Sequence, residues 1–83
     1  MATKHPKEIE IAPGITASTD ISFGKPVIKG TRISIDIIMD QLAAGASYEE
    51  IEEAYGITRK DILAVLGYAA EIISQEVVVA RAR

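Results

Sequence analysis

Ser47-Tyr48-Glu49-Glu50-Ile51-Glu52-Glu53-Ala54-Tyr55-Gly56-Ile57-Thr58-Arg59-Lys60-Asp61-Ile62 holds two helix starts and one helix stop within residues 47–62. Ser47 followed three residues later by Glu50 is a capping box, and Ala46 and Ile51 flank it as a hydrophobic staple. Tyr48, Ile51, Ala54 and Tyr55 then fall on one helical face, and Gly56 ends the helix. Thr58 restarts the chain as an N-cap. Asp61 at the third helical position makes a weaker box than glutamate would, and Ile57 and Ile62 supply the second staple. Two capped helices joined by Tyr55-Gly56-Ile57-Thr58 fit a helix-turn-helix, with a plain helical hairpin as the alternative.

On the N-terminal side, Ser34 and Asp36 open an earlier helix. Ile35, Ile38, Met39, Leu42 and Ala43 recur with its period, and Gly45 suits its C′ position. On the C-terminal side, Ile62, Leu66, Ala69, Ile73 and Val77 make the expected core stripe of the last helix. Leu63, Ala70 and Ile72 widen that stripe beyond what one small domain needs, which predicts a homodimer surface extended by Val77-Val78-Val79.

Before residue 34 the period is different. Glu8-Ile9-Glu10-Ile11 alternates as a half-buried strand, with Ile9 and Ile11 on its inner face. Pro13-Gly14 fits a type II turn, and because tight hairpins prefer primed turns it suggests a corner rather than a hairpin tip. Ile15-Thr16-Ala17, Pro26-Val27-Ile28 and Thr31-Arg32-Ile33 are further extended candidates. Glycine or proline at 24, 26 and 30 forbids a helix there. The expected fold is therefore mainly α with a small β element. It is a single domain over residues 1–83, made of an arm (1–7), a β-rich segment (8–34) and a three-helix body (35–83).

Composition narrows the function. The 83 residues include no cysteine, so disulfides, cysteine-ligated zinc and thiol catalysis are excluded. The one histidine, His5, sits in the arm. No helix-borne His-Glu motif occurs, and the carboxylate pairs Asp36/Asp40 and Glu49/Glu53 read as exposed faces, so neither an enzyme, a metal nor a cofactor is expected. No apolar run approaches the roughly 20 residues of a membrane span, and no signal peptide is evident, which points to a cytoplasmic protein. The net charge of −3 is unevenly placed: residues 1–34 carry Lys4, Lys7, Lys25, Lys29 and Arg32, whereas residues 35–57 carry six carboxylates and no cation. An anionic ligand would meet the first half, or Arg59 and Lys60. The acidic stretch suits solvent or a basic partner.

The string Gly24-Lys25-Pro26-Val27-Ile28-Lys29-Gly30-Thr31-Arg32-Ile33, followed by three helices ending near Ile73, closely resembles the domain-of-unknown-function 433 family over roughly Ile15 to Ile73. The resemblance implies a small bacterial or archaeal protein with a homeodomain-like helix-turn-helix body. It also implies a VapB-like antitoxin encoded beside a PIN-like ribonuclease toxin. Many members have Gly in place of Phe23, Pro in place of Ser34, and an extra residue between Tyr55 and Gly56.

Two sets of site residues follow. For operator DNA they are Lys25, Lys29 and Arg32 on the glycine-rich segment, with Thr58, Arg59 and Lys60 at the start of the last helix, whose free N–H groups suit a phosphate oxygen. Ala64 and Gly67 further along that helix offer nothing to read a base edge, so sequence-specific readout there is not expected. For a protein partner they are Glu49, Glu50, Glu52 and Glu53. Structural roles compete: Arg32 can pair with Asp36 or Asp40, and Arg59 and Lys60 can offset the glutamates. The leading reading is a dimeric antitoxin that binds its toxin and its own operator. The rival is a protein-interaction module that never touches DNA.

Overall fold

The computed structural model of the protein describes residues 8–81, with side chains over residues 8–75. The expected arm at 1–7 and the side chains of Val77-Val78-Val79 lie outside the described residues. Three short strands, β1 (Ile9–Ala12), β2 (Ile15–Ala17) and β3 (Val27–Ile28), form an antiparallel sheet in the order β1-β2-β3. Three helices follow: α1 (Ile35–Ala43), α2 (Tyr48–Tyr55) and α3 (Arg59–Arg81). The fold is mainly helical with a small β element, as the change of period at residue 34 predicts.

The helix ends form as their residues dictate. Ser47 Oγ accepts the Glu50 N–H at 3.1 Å and Glu50 Oε1 accepts the Ser47 N–H at 2.8 Å, closing the capping box. Gly56, at φ +68, lets the chain turn out of α2. Thr58 and Asp61 close a second reciprocal pair, with the Asp61 N–H on Thr58 Oγ1 at 3.2 Å and the Thr58 N–H on Asp61 Oδ2 at 3.0 Å. At the end of α1, Gly45 N–H donates to Leu42 O and Ala46 N–H to Gln41 O, both at 3.0 Å. That is a Schellman closure. Ser34 stands at the N-cap of α1, yet its hydroxyl donates to the Asp36 carboxylate and accepts no helix N–H.

One core joins sheet and helices. Ile15, Ile28, Ile38, Ile51, Ile57, Ile62 and Val65 pack together, drawn from β2, β3, all three helices and the α2–α3 turn. Val65 is fully buried although the expected stripe on α3 omits it. Ile62 is buried and Leu66 and Ala69 half-buried, but Ile73 of the same stripe is 56% exposed, because α3 runs past the body that covers its first turns. Ala54 and Ala43 also face solvent. On α2 the packed line is the narrower Tyr48–Ile51–Tyr55.

The N-terminal segment departs further from expectation. Pro13-Gly14 is a hairpin tip and not a corner: Ala12 pairs with Ile15, and Gly14 takes φ +79. The register slips between Glu10 and Ala12, leaving Ile11 as an extra residue. This bulge reconciles the turn with the strands and breaks the alternation. Ile9 and Ile11 are therefore exposed on an edge strand, and only Ala12 of β1 reaches the core. Thr31-Arg32-Ile33 is not a strand. Thr31 Oγ1 donates to Ile28 O and accepts the Ile33 N–H, which curls the segment back on β3.

Candidate functional site

The three cations of the glycine-rich segment go to three places. Lys25 pairs with Asp36 at the start of α1, 3.2 Å apart. Lys29 reaches Glu10 at 3.0 Å, tying the end of β3 to the edge strand. Arg32 pairs with neither Asp36 nor Asp40, because Lys25 holds Asp36, and it has no ion-pair partner among the described residues. It lines a cavity of about 510 Å³ with Glu8, Ile21, Ile33 and Tyr55.

The cations at the start of α3 also part company. Arg59 folds back on α2, 3.0 Å from Glu49 and 3.5 Å from Glu52. Lys60 faces the other way, into a cleft of about 650 Å³ that it shares with Lys29, Glu10, Pro13, Gly14 and Asp61. Of the expected joint cationic surface, only Lys29 and Lys60 come together. Arg32 lies in a different cavity, and Thr58 is engaged in its cap with Asp61.

The acidic row is likewise divided. Glu50 serves the capping box, Glu49 and Glu52 hold Arg59, and Glu53 is exposed with no ion-pair partner among the described residues. Three carboxyls sit below their ordinary range. Glu10 is lowered first by the Gly14 N–H and then by Lys29. Asp36 is lowered by the Ser34 hydroxyl and then Lys25. Glu49 is lowered by its own N–H and then, against a desolvation cost, by Arg59. All three lie at the surface, so the ion pairs order side chains more than they stabilise the fold.

A family model described as a protein of unknown function (DUF433) matches residues 15–69. The chain belongs to the DUF433 family. No curated protein and no solved structure matches it. In this DUF433 chain the matched region spans β2 through the first half of α3, which includes both cavities' cations but not Glu8 or Glu10. Among the described residues no helix is long and apolar enough to cross a membrane, and no group of His, Asp or Glu is placed to hold a metal ion.

Two residues stand out in the structure beyond the site residues that the sequence points to. Phe23 is fully exposed at φ +57, beside Ser22 at φ +53. Its signals in the sequence are a lone phenylalanine between Ser22 and Gly24 and the Gly that many family members carry at that position. Tyr55, assigned to the inner face of α2, also forms a wall of the Arg32 cavity.

Proposed function

We propose that the protein is a non-enzymatic antitoxin-type binding protein that acts as a homodimer and recognises a basic protein partner such as a PIN-like ribonuclease. The observation carrying this reading is the bare apolar face of α3. Leu63 and Ile73 are 51% and 56% exposed on one side of the helix, Ile72 is 39% exposed on the other, and every described side chain from Ala70 to Gln75 faces solvent. Residues 70–81 continue the helix for roughly 18 Å. Isolated helical stretches of that length are marginal in water, so the overhang needs a covering surface. Leu63, Leu66, Ala70 and Ile73 recur at alternating steps of three and four, the spacing by which one helix seats on another. A second copy offers the same seam, and a two-fold pairing of identical patches closes on itself. The acidic outer side of α2, led by Glu53, then remains open to a basic partner.

The test is copurification with the product of the adjacent reading frame, followed by a nuclease assay. A complex that suppresses nuclease activity is expected, weakened by Glu53→Lys. Absence of a complex with the wild-type chain contradicts the antitoxin assignment.

Operator binding is the second reading, favoured by the cleft where Lys29 and Lys60 stand together. Lys60→Ala should weaken binding to upstream DNA and flatten its salt dependence, since it removes about one displaced counterion. Lys29→Ala should do less, because Glu10 already holds that ammonium. Arg32→Ala, in the other cavity, should leave binding unchanged. A gel shift that shows no retardation by either the free protein or its partner complex leaves only protein recognition.

A further inference from the structure

The seam on α3 is uneven along its length. Leu63 and Leu66 lie on the half of the helix that Ile62 and Val65 hold in the core, whereas Ala70 and Ile73 lie on the half that extends beyond it. Leu66 is half-buried against its own core, while Leu63 and Ile73 are each more than half exposed. A second copy can meet this seam in two directions. In a parallel pair each residue faces its own counterpart, so Ala70 meets Ala70 and one unsupported overhang leans on another. An alanine layer buries little apolar surface, and a short helical end without such burial is marginal in water. In an antiparallel pair the two-fold axis falls at Tyr68, midway between 63 and 73 and between 66 and 70. Leu63 of each copy then faces Ile73 of the other, and Leu66 faces Ala70. Every layer contains a leucine, and each overhang is braced by the half that the other copy's core holds. Gly67 stands next to that axis, exposed and with nothing within 4 Å of where a Cβ would be, so no side chain there keeps the helices apart.

We infer that α3 pairs antiparallel with α3 of a second copy, each overhang seated on the anchored half of the other. This pairing rests on the dimer reading above and gives that dimer its direction. A second copy suits the face because the seam complements itself when reversed: the bulk missing at Ala70 is present at Leu66. Leu63 and Ile73, the two most exposed large apolar side chains on α3, also cover each other in one layer, twice per dimer. The antiparallel direction further sets the positive start of each helix dipole away from the start of the other. Leu63 is also a wall of the Lys29–Lys60 cleft, so Ile73 of the second copy borders that cleft in the dimer.

The chain contains no cysteine, so introduced thiols report single contacts. Full-length Leu63→Cys and Ile73→Cys chains are each oxidised with diamide alone, and then as an equimolar mixture after subunit exchange. Two cysteines join only when their Cα atoms lie within about 7 Å, whereas the antiparallel pairing holds Ile73 about 15 Å from its counterpart along the helix axis, and Leu63 likewise. The mixture should therefore link at least about tenfold faster than either chain alone. The double variant should form a dimer linked twice. Light scattering on the wild-type chain and on each reduced variant runs alongside. Rapid linkage of Ile73→Cys with itself, where the wild-type chain is dimeric, makes the pairing parallel and overturns the direction while leaving the dimer. A dimeric wild-type chain with no linkage in any combination places the contact elsewhere and overturns the α3 pairing. A wild-type mass of one chain removes the dimer reading itself and this pairing with it.

Discussion

Arg59 lies over the ring of Tyr48, its guanidinium carbon 4.8 Å from the ring centroid, while its nitrogens reach Glu49 and Glu52. The residue that a helix-turn-helix would send toward DNA is turned back onto the preceding helix. A phosphate would have to displace two carboxylates and an aromatic face to capture it. Arg59→Ala is therefore expected to leave affinity for upstream DNA unchanged in a gel shift, while lowering the melting temperature modestly through loss of the α2–α3 clasp. A large loss of DNA binding with an unchanged melting temperature would reverse that assignment.

Gly14 fixes the hairpin to the last helix. Its φ is +79, and a Cβ built there would come within 3.0 Å of the Ala64 Cβ. Gly14→Ala should cost about 1–2 kcal/mol from the backbone alone, plus whatever shift separates the hairpin from α3. Chemical denaturation measures it. The Lys29–Lys60 cleft, which Gly14 lines, should change shape with it, visible as altered lysine shifts by NMR.

Thr16 offers a gain. Its hydroxyl is buried with no hydrogen-bond partner among the described residues, and Thr16 is only 3% exposed. Valine has the same branched shape, suits a strand, and removes the unsatisfied group. Thr16→Val should stabilise the fold by about 1 kcal/mol, read from the denaturation midpoint.

Acid should weaken the protein through Glu10, Asp36 and Glu49. Each carboxyl titrates lower when folded than when unfolded. A lowered carboxyl contributes stability that is complete above its unfolded value and is lost as pH falls through its folded value. Stability should hold from neutral pH down to about the ordinary glutamate value of 4.5 and decline below it. Lys29→Ala should shrink the Glu10 share of that decline without abolishing it, because the Gly14 N–H is the larger cause. Denaturation across the acid range checks both statements.

Much of the architecture was legible because caps are local. Ser47 with Glu50, Thr58 with Asp61, and the glycines at 45 and 56 act within four residues, so spacing alone places the helix ends. Ile9 and Ile11 misled because a two-residue period says that a strand is half-buried, but not that a bulge will break the alternation. The grouping of Lys25, Lys29 and Arg32 failed for a related reason. Neighbours in sequence on a turning segment diverge in space, and their partners Asp36 and Glu10 are set by tertiary packing. The surplus apolar width of α3, by contrast, was readable from Leu63, Ala70 and Ile72, and each is exposed.

The central claim is that α3 meets a second copy through the seam containing Ile73. Light scattering on the size-fractionated protein tests it most directly. The account predicts about twice the 8.9 kDa chain mass for the wild type, and a return to the single-chain mass for Ile73→Glu with helical content retained. A wild-type mass of one chain at every concentration, or a dimer undisturbed by Ile73→Glu, contradicts it.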